Sequence, residues 1–366
     1  MDYRLKNLAN ILVNYSLRVK PGQWVIINAN AIATPLINEV ARAILEAGGN
    51  YNVMMSSDDL NETYYRHAND AQIQWISPVE SLIYEKADAT ISILAATNTR
   101  ALTGTDPKKQ AARGIARRAL TQQFMERSAR RTLAWSVVQF PCPAFAQEAD
   151  MSLSDYENFV YGACYADQDD PVAKWQAVQN EQQKLVDWLK GKDRVEVRGP
   201  NIDLTLSIRE RTFLNACGDR NMPDGEIFTG PVEESVNGWV RFSYPALRGG
   251  MEVDGVEFKF ENGKVTEAKA KKNQDYLLTQ LDSDAGSRYL GEFAIGTNFG
   301  IQKFTKNILF DEKIGGTLHM AVGAGYPETG SKNLSAVHWD FICDMRHESE
   351  VRVDGELFYK NGAFQV

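Results

Sequence analysis

Apolar and polar positions follow two different periods along this 366-residue chain, and the period changes near its midpoint. In the first half, "LKNLANILVNYSL" (5–17) repeats apolar residues at helical spacing, and "KPGQWVIINAN" (20–30) reads as a turn followed by a short buried strand. "TPLINEVARAILEAGG" (34–49) predicts a helix, with Thr34 as cap, Pro35 in the first turn and Gly48-Gly49 as its stop. "YNVMMSS" (51–57) and "ADATISILAATN" (87–98) predict further strands. Helix and strand in this alternation imply a mostly parallel sheet with helices on its faces. A last helix, "DDPVAKWQAVQNEQQKLVDWLKG", runs to Gly191.

The second half turns to period two. "DRVEVRGPNIDLTLSI" (193–208) gives two strands about a Gly-Pro turn. Asn262-Gly263 and Asn361-Gly362 each divide an alternating run, the strongest short-range signal of a hairpin. One helix is expected around "NQDYLLTQLDSDAGSRYLG" (273–291). The fold expected is therefore an α/β N-terminal domain with a mostly parallel sheet over residues 1–190, and a β-rich (α+β) C-terminal domain over residues 191–366.

Charge and composition narrow the function. With 43% hydrophobic and 24% charged residues the chain has the make-up of a soluble globular enzyme. A net charge of -8 argues against nucleic acid as the main partner. Nothing approaches the ~18 consecutive apolar residues of a membrane span. Cys142, Cys164, Cys217 and Cys343 are scattered, which favours a reducing cytoplasm and ordinary buried thiols. The segment 107–131 carries eight basic residues, expected to form a solvated helix face. No G-x-G-x-x-G opens a helix. "GYPETGSK" (325–332) only imitates a phosphate loop: Lys and hydroxyl stand in the wrong order, and a strand rather than a helix should follow.

The chemistry concentrates in the second half. In "SAVHWDFICD" (335–344), His338 and Asp340 lie two apart on a predicted strand, so imidazole and carboxylate share a face. "GGTLHMAVGAGYP" (315–327) sets His319 amid alternating apolar residues; alone it would read as a hydrogen-bonded core histidine. His67 and His347 lie in polar surroundings and read as bystanders. "NMPDGEIFTGP" (221–231) and "YLGEFAIGTNFGI" (289–301) place Glu226 and Glu292 after glycine and before apolar residues, where a buried carboxylate must be paired, protonated or bound to a cation. "DGELF" recurs at 354–358 in a plain hairpin, so such a string also fits a turn with a solvent-facing glutamate.

Taken together, "NMPDGEIFTGP", "GEFAIGTNFGI", "TLHMAVGAGYPETG" and "NLSAVHWDFICD", in this order, closely resemble the thermophilic-type metallo-aminopeptidases of peptidase family M29, and "ILVNYSLRVKPGQWVII" is similar to that family's opening helix and strand. The resemblance implies a homodimeric aminopeptidase that releases N-terminal residues from peptides with a free N-terminus. It also implies two divalent metal ions per chain, held by Glu226, Glu292, His319, His338 and Asp340, with Tyr326 as catalytic tyrosine and Glu292 as metal bridge or proton shuttle. Three carboxylates and two imidazoles suit zinc, cobalt or manganese. Two alternatives remain at this point: a two-metal hydrolase of another amide or small substrate, and a catalytically silent metal-binding scaffold. Without the motif, Tyr326 would read as a loop aromatic packed on Pro327.

Overall fold

The computed structural model describes residues 2–366. Its contacts divide them into two compact units: residues up to Trp175 together with Gly218–Pro223, and Gln176–Cys217 together with Asp224–Val366. The division falls inside the helix Pro171–Leu189. The residues that return to the first unit do so as a short strand, Asn221–Met222, on the edge of its sheet.

In the first unit, Trp24–Asn30 lies between Asn50–Ser56 and Ala89–Leu94, followed by Ala134–Gln139, and every pairing is parallel. Helices supply the crossovers, as parallel neighbours require. The opening helix Tyr3–Asn10 continues as a wider π-helical turn over Ile11–Ser16. Thr34 does not cap the second helix. It is the first residue of Thr34–Glu46, which follows a 3-10 turn, and its hydroxyl donates back to the Ala31 carbonyl. The stop is as expected: Gly48 takes φ +80° immediately after the helix. The basic segment forms two helices, Pro107–Ala116 and Arg118–Ala129. Arg113 and Arg117 both pair with Glu80, and Arg127 donates to the carbonyls of Tyr84 and Ala87. Much of that charge is thus spent inside the chain.

The second unit is a sandwich. Its larger sheet is an eight-stranded antiparallel one that runs from Lys264–Lys269 to Ala363–Phe364. Both Asn-Gly turns are present, with Asn262, Gly263, Asn361 and Gly362 all at positive φ, the geometry that matches strand twist in a two-residue hairpin. The smaller sheet orders His338–Asp344, Thr317–Gly323, Leu290–Gly296, Glu226–Thr229 and Leu214–Ala216, all antiparallel. One face of it (Ile227, Phe293, Ile295, Leu318, Met320, Val322, Phe341) joins Val197, Leu204, Phe258 and Phe358 of the larger sheet in one core. Phe341 lies with its ring centroid 5.0 Å from that of Phe258. Each such side chain, fully buried, contributes ~1.5–3 kcal/mol, so this face fixes the register of the strands. Besides the expected helix, found at Gln274–Leu281, a single turn at Ile308–Asp311 stands just before Glu312 and Lys313.

Candidate metal centre

Register on the apolar face dictates the opposite face. Ile227, Phe293, Ile295, Leu318, Met320, Trp339 and Phe341 point into the core, so their chain neighbours point away from it. Those neighbours are Glu226, Glu292, His319, His338 and Asp340. Pairing aligns them: Glu292 opposes Ala321, which opposes Asp340, while His319 opposes Ala294, and Glu226 opposes Gly296. A bulge between Leu290 and Glu292 shifts the strand so that Leu290 enters the core and Glu292 the other face. Between the functional side chains stand Ala294, Gly296, Ala321 and Gly323. These small residues leave the space into which long polar side chains converge. At Gly296 a Cβ would fall 2.2 Å from the Ile314 carbonyl, and at Gly323 2.0 Å from that of Val337.

The five side chains form two overlapping sets. Glu226, Glu292 and His319 bring one atom each within 4.8 Å of one another, as do Glu292, His338 and Asp340, and Glu292 is common to both. His319 Nε2 lies 3.3 Å from Glu226 Oε2 and 3.6 Å from Glu292 Oε1. His338 Nε2 lies 3.3 Å from Glu292 Oε2 and 3.4 Å from Asp340 Oδ1. The shared carboxylate thus turns one oxygen to each histidine. The first set is buried throughout; His338 and Asp340 are half-buried and give the site its solvent side. A third set, Glu312 with His319 and Asp340, overlaps both.

The donor chemistry fits cations. His338 Nδ1 is 2.8 Å from the Ala324 carbonyl, which can only accept, so Nδ1 carries the proton and Nε2 of a neutral ring presents a lone pair to two carboxylates. Glu226 Oε2 and Asp340 Oδ1, which face the Nε2 atoms of His319 and His338, are buried without a hydrogen-bond partner. Converging acceptors of this kind need either protons or a positive ion between them.

Without an ion, protons take that place. Burial pushes the His319 imidazolium down, but Glu226 and Glu292 outweigh it and raise the group to about 9. Burial likewise disfavours charged His338, and the carboxylates of Asp340 and Glu292 that face its Nε2 reverse this to about 11. Glu292 is pushed up by burial, yet the two histidines bring it down to about 2. For Glu226 burial prevails over Lys313 and His319, and its carboxyl rises to about 8.

Tyr326 is 42% exposed, with its ring edge-on to His338 at 5.5 Å and to Phe228 at 5.3 Å. It therefore stands beside the convergent carboxylates rather than packed on Pro327 alone. Burial, then the negative charge of Glu292 and Asp340, raise its phenol, so the hydroxyl keeps its proton. The loop behind it is braced: Thr329 Oγ1 donates to the Tyr326 carbonyl, and Glu233, paired with buried Arg211, accepts from the Lys332 amide. His67 ends an exposed helix and His347 lies in a bend; neither is in the ligand sets.

Two contributors escape sequence reasoning. Lys313, wholly buried, donates to Glu226 Oε1 at 3.1 Å and to Glu312, and lies 3.9 Å from Asp224 Oδ1. Gln182, from the long helix, donates to the Glu226 carbonyl and accepts from Thr297, tying two strand ends together. "DEKIGG" and a glutamine in a polar helix carry no local signal.

Comparison with known proteins adds a consistent picture. The chain is 28% identical to aminopeptidase 2 of Geobacillus stearothermophilus, over 97% of this chain and 94% of that protein. It is 26% identical to aminopeptidase T of Thermus thermophilus, over 98% and 95% respectively. Its fold is that of the solved wild-type AmpT from Thermus thermophilus, with a TM-score of 0.85 at 24% identity, covering 99% of both chains. The model of the thermophilic metalloprotease family, M29, matches residues 1–364, and the chain belongs to that family.

Proposed function

We propose that this metalloprotease is an aminopeptidase that uses two divalent ions to release single residues from peptides with a free N-terminus. The observation that carries the proposal is the pair of three-residue sets sharing Glu292 on one sheet face. Glu226, Glu292 and His319 would hold one ion, and Glu292, His338 and Asp340 the other, with zinc, cobalt or manganese suited to this oxygen and nitrogen donor set. Such ions supply positive charge that polarises a carbonyl and acidifies water at neutral pH.

The chain's own groups supply the remainder. Asp340, on the solvent side, offers a carboxylate to the substrate's α-amine, which accounts for cleavage after one residue. The Tyr326 hydroxyl, held neutral, donates to the oxyanion that develops on the scissile carbonyl. A site glutamate accepts the proton that the attacking water releases and returns it to the leaving amine, a role open to Glu292 only where it does not bridge the two ions. His338, fixed by Ala324, cannot rotate away from its ligand position.

The chain acts as a cytoplasmic homodimer in this proposal. The pairing follows from the family resemblance, and four buried cysteines outside any disulfide suit a reducing compartment. The test combines elemental analysis of metal per chain with hydrolysis of free-amine and amine-blocked aminoacyl amides, before and after chelation. About two metals per chain and chelator-sensitive cleavage of the free-amine substrate alone are expected. Cleavage of blocked substrates at equal rates would point to a hydrolase of other amides, and metal without turnover to a scaffold.

A further inference from the structure

Lys313 is a fully buried cation in a place where the proposed chemistry asks for metal ions, and nothing in that chemistry uses it. Its ammonium donates to Glu226 Oε1 at 3.1 Å and to Glu312, with Asp224 Oδ1 at 3.9 Å. The other oxygen of Glu226, Oε2, faces His319 Nε2 at 3.3 Å. One carboxylate is thus divided: one oxygen belongs to the lysine and one to the ligand set. The second set has no such guest, since the ion pairs recorded for Glu292 and Asp340 among the described residues are all with histidines.

The position is built rather than incidental. Lys313 stands one residue beyond the helical turn Ile308–Asp311, which is capped by Asn307, and Asp311 anchors that turn by accepting from the amide and hydroxyl of Thr305. The backbone after it is pinned at Gly296, whose missing side chain lets the Ile314 carbonyl approach the strand that carries Glu292. The lysine stem therefore enters the site from a fixed point, and its head meets three carboxylates that would otherwise repel one another.

Resting on the two-ion centre proposed above, we infer that Lys313 is a resident counter-cation: it holds Glu226, Glu312 and Asp224 together when no metal is bound, and it restricts Glu226 to one-oxygen ligation. Two consequences oppose each other. The metal-free protein keeps an ordered site, because buried carboxylates retain a positive partner. An ion held by Glu226 and His319 would bind less tightly, because a fixed positive charge already occupies one oxygen of that carboxylate.

The test replaces the charge with an apolar side chain of similar length, Lys313→Met, with Lys313→Gln as a second variant should the first fail to fold. Metal affinity and stoichiometry are measured by calorimetric titration of the chelated protein with manganese or zinc, and thermal midpoints are measured with and without metal. The expected result is a metal-free midpoint below that of the parent, a larger rise on metal addition, and affinity for one of the two ions increased at least about tenfold. Affinity unchanged or lowered in a folded variant, with two ions still bound by the parent, overturns the role of Lys313 and leaves the aminopeptidase proposal standing. A parent protein that takes up no divalent ion overturns both.

Discussion

The string Asp-Gly-Glu-apolar-Phe occurs twice in this chain, at 224–228 and at 354–358, and the two copies have opposite fates. In the first, Ile227 enters the core of the sandwich, so Glu226 turns to the other face and is 6% exposed. In the second, Phe358 enters the same core, and Glu356 at the strand's start reaches the surface, where Lys192 meets it at 2.6 Å. Both glutamates open a strand, but Glu226 is flanked by paired strands on both sides, at Gly296 and at Ala216, whereas Glu356 pairs only with Val353 among the described residues, beside a bulge that breaks the alternation. The glycines differ as well. Gly225 at φ +122° presses on Asn298, whose Cβ would be 2.8 Å from an added Cβ, whereas Gly355 at φ +82° has open space around it. A motif of five residues therefore does not define a site; the partner strands do.

Substitutions sharpen this contrast. Glu226→Gln should cut kcat/KM on a free-amine aminoacyl amide by roughly 10³, since losing a ligand costs more than the ~10–100-fold of a lost outer partner, and bound metal should fall with it. Glu356→Gln should leave metal content and rate unchanged and shift stability by less than ~1 kcal/mol, as exposed ion pairs do. Equal losses in the two variants would end the distinction between the copies. Within the site, Tyr326→Phe should lower kcat by about 10² with full metal content, as for the loss of one oxyanion donor. An unaltered kcat would remove the role given to that hydroxyl.

Smaller effects follow from the glycines. Gly225→Ala should cost ~2–3 kcal/mol in denaturant unfolding, from strained backbone plus the clash with Asn298, and Gly355→Ala about 1 kcal/mol from backbone alone. Reversal of that order would show that Gly225 is not tightly confined. The last contrast is with pH, in the metal-free protein. His319 and His338 are raised, to about 9 and about 11, so their stabilisation is complete below the unfolded value near 6.5 and is lost as pH climbs through those folded values. Glu226, raised to about 8, acts in the same direction from about 4.5 upward, while Glu292, lowered to about 2, loses its contribution only as pH falls below about 4.5. The chelated protein should therefore show a thermal midpoint that declines between pH 5 and 9 more steeply than the metal-loaded protein, whose ions replace the protons. Parallel declines would argue that these protons and metal do not compete.

Much of this protein was legible in its residues. Period two against period 3.6 separated an α/β half from a β-rich half, and Asn262-Gly263 and Asn361-Gly362 marked hairpins because few other pairs adopt positive φ twice in succession. His338 and Asp340 declared a common face by spacing alone. Thr34, by contrast, looked like a cap and is not one, because a preceding 3-10 turn moved the start of the helix. Local signals decide local geometry, and they blur where two short elements meet.

What the sequence by itself determined is the set of elements, their turns, and which side chains on each strand lie together. Only the tertiary structure decided that four strands set their polar side chains on one face, that Glu292 serves two histidines, and that Lys313 stands among the carboxylates. The reason is distance along the chain: Lys313 meets Glu226 across 87 positions and Gln182 meets it across 44. No periodicity reaches that far; the shared apolar core, by fixing strand order and register, does.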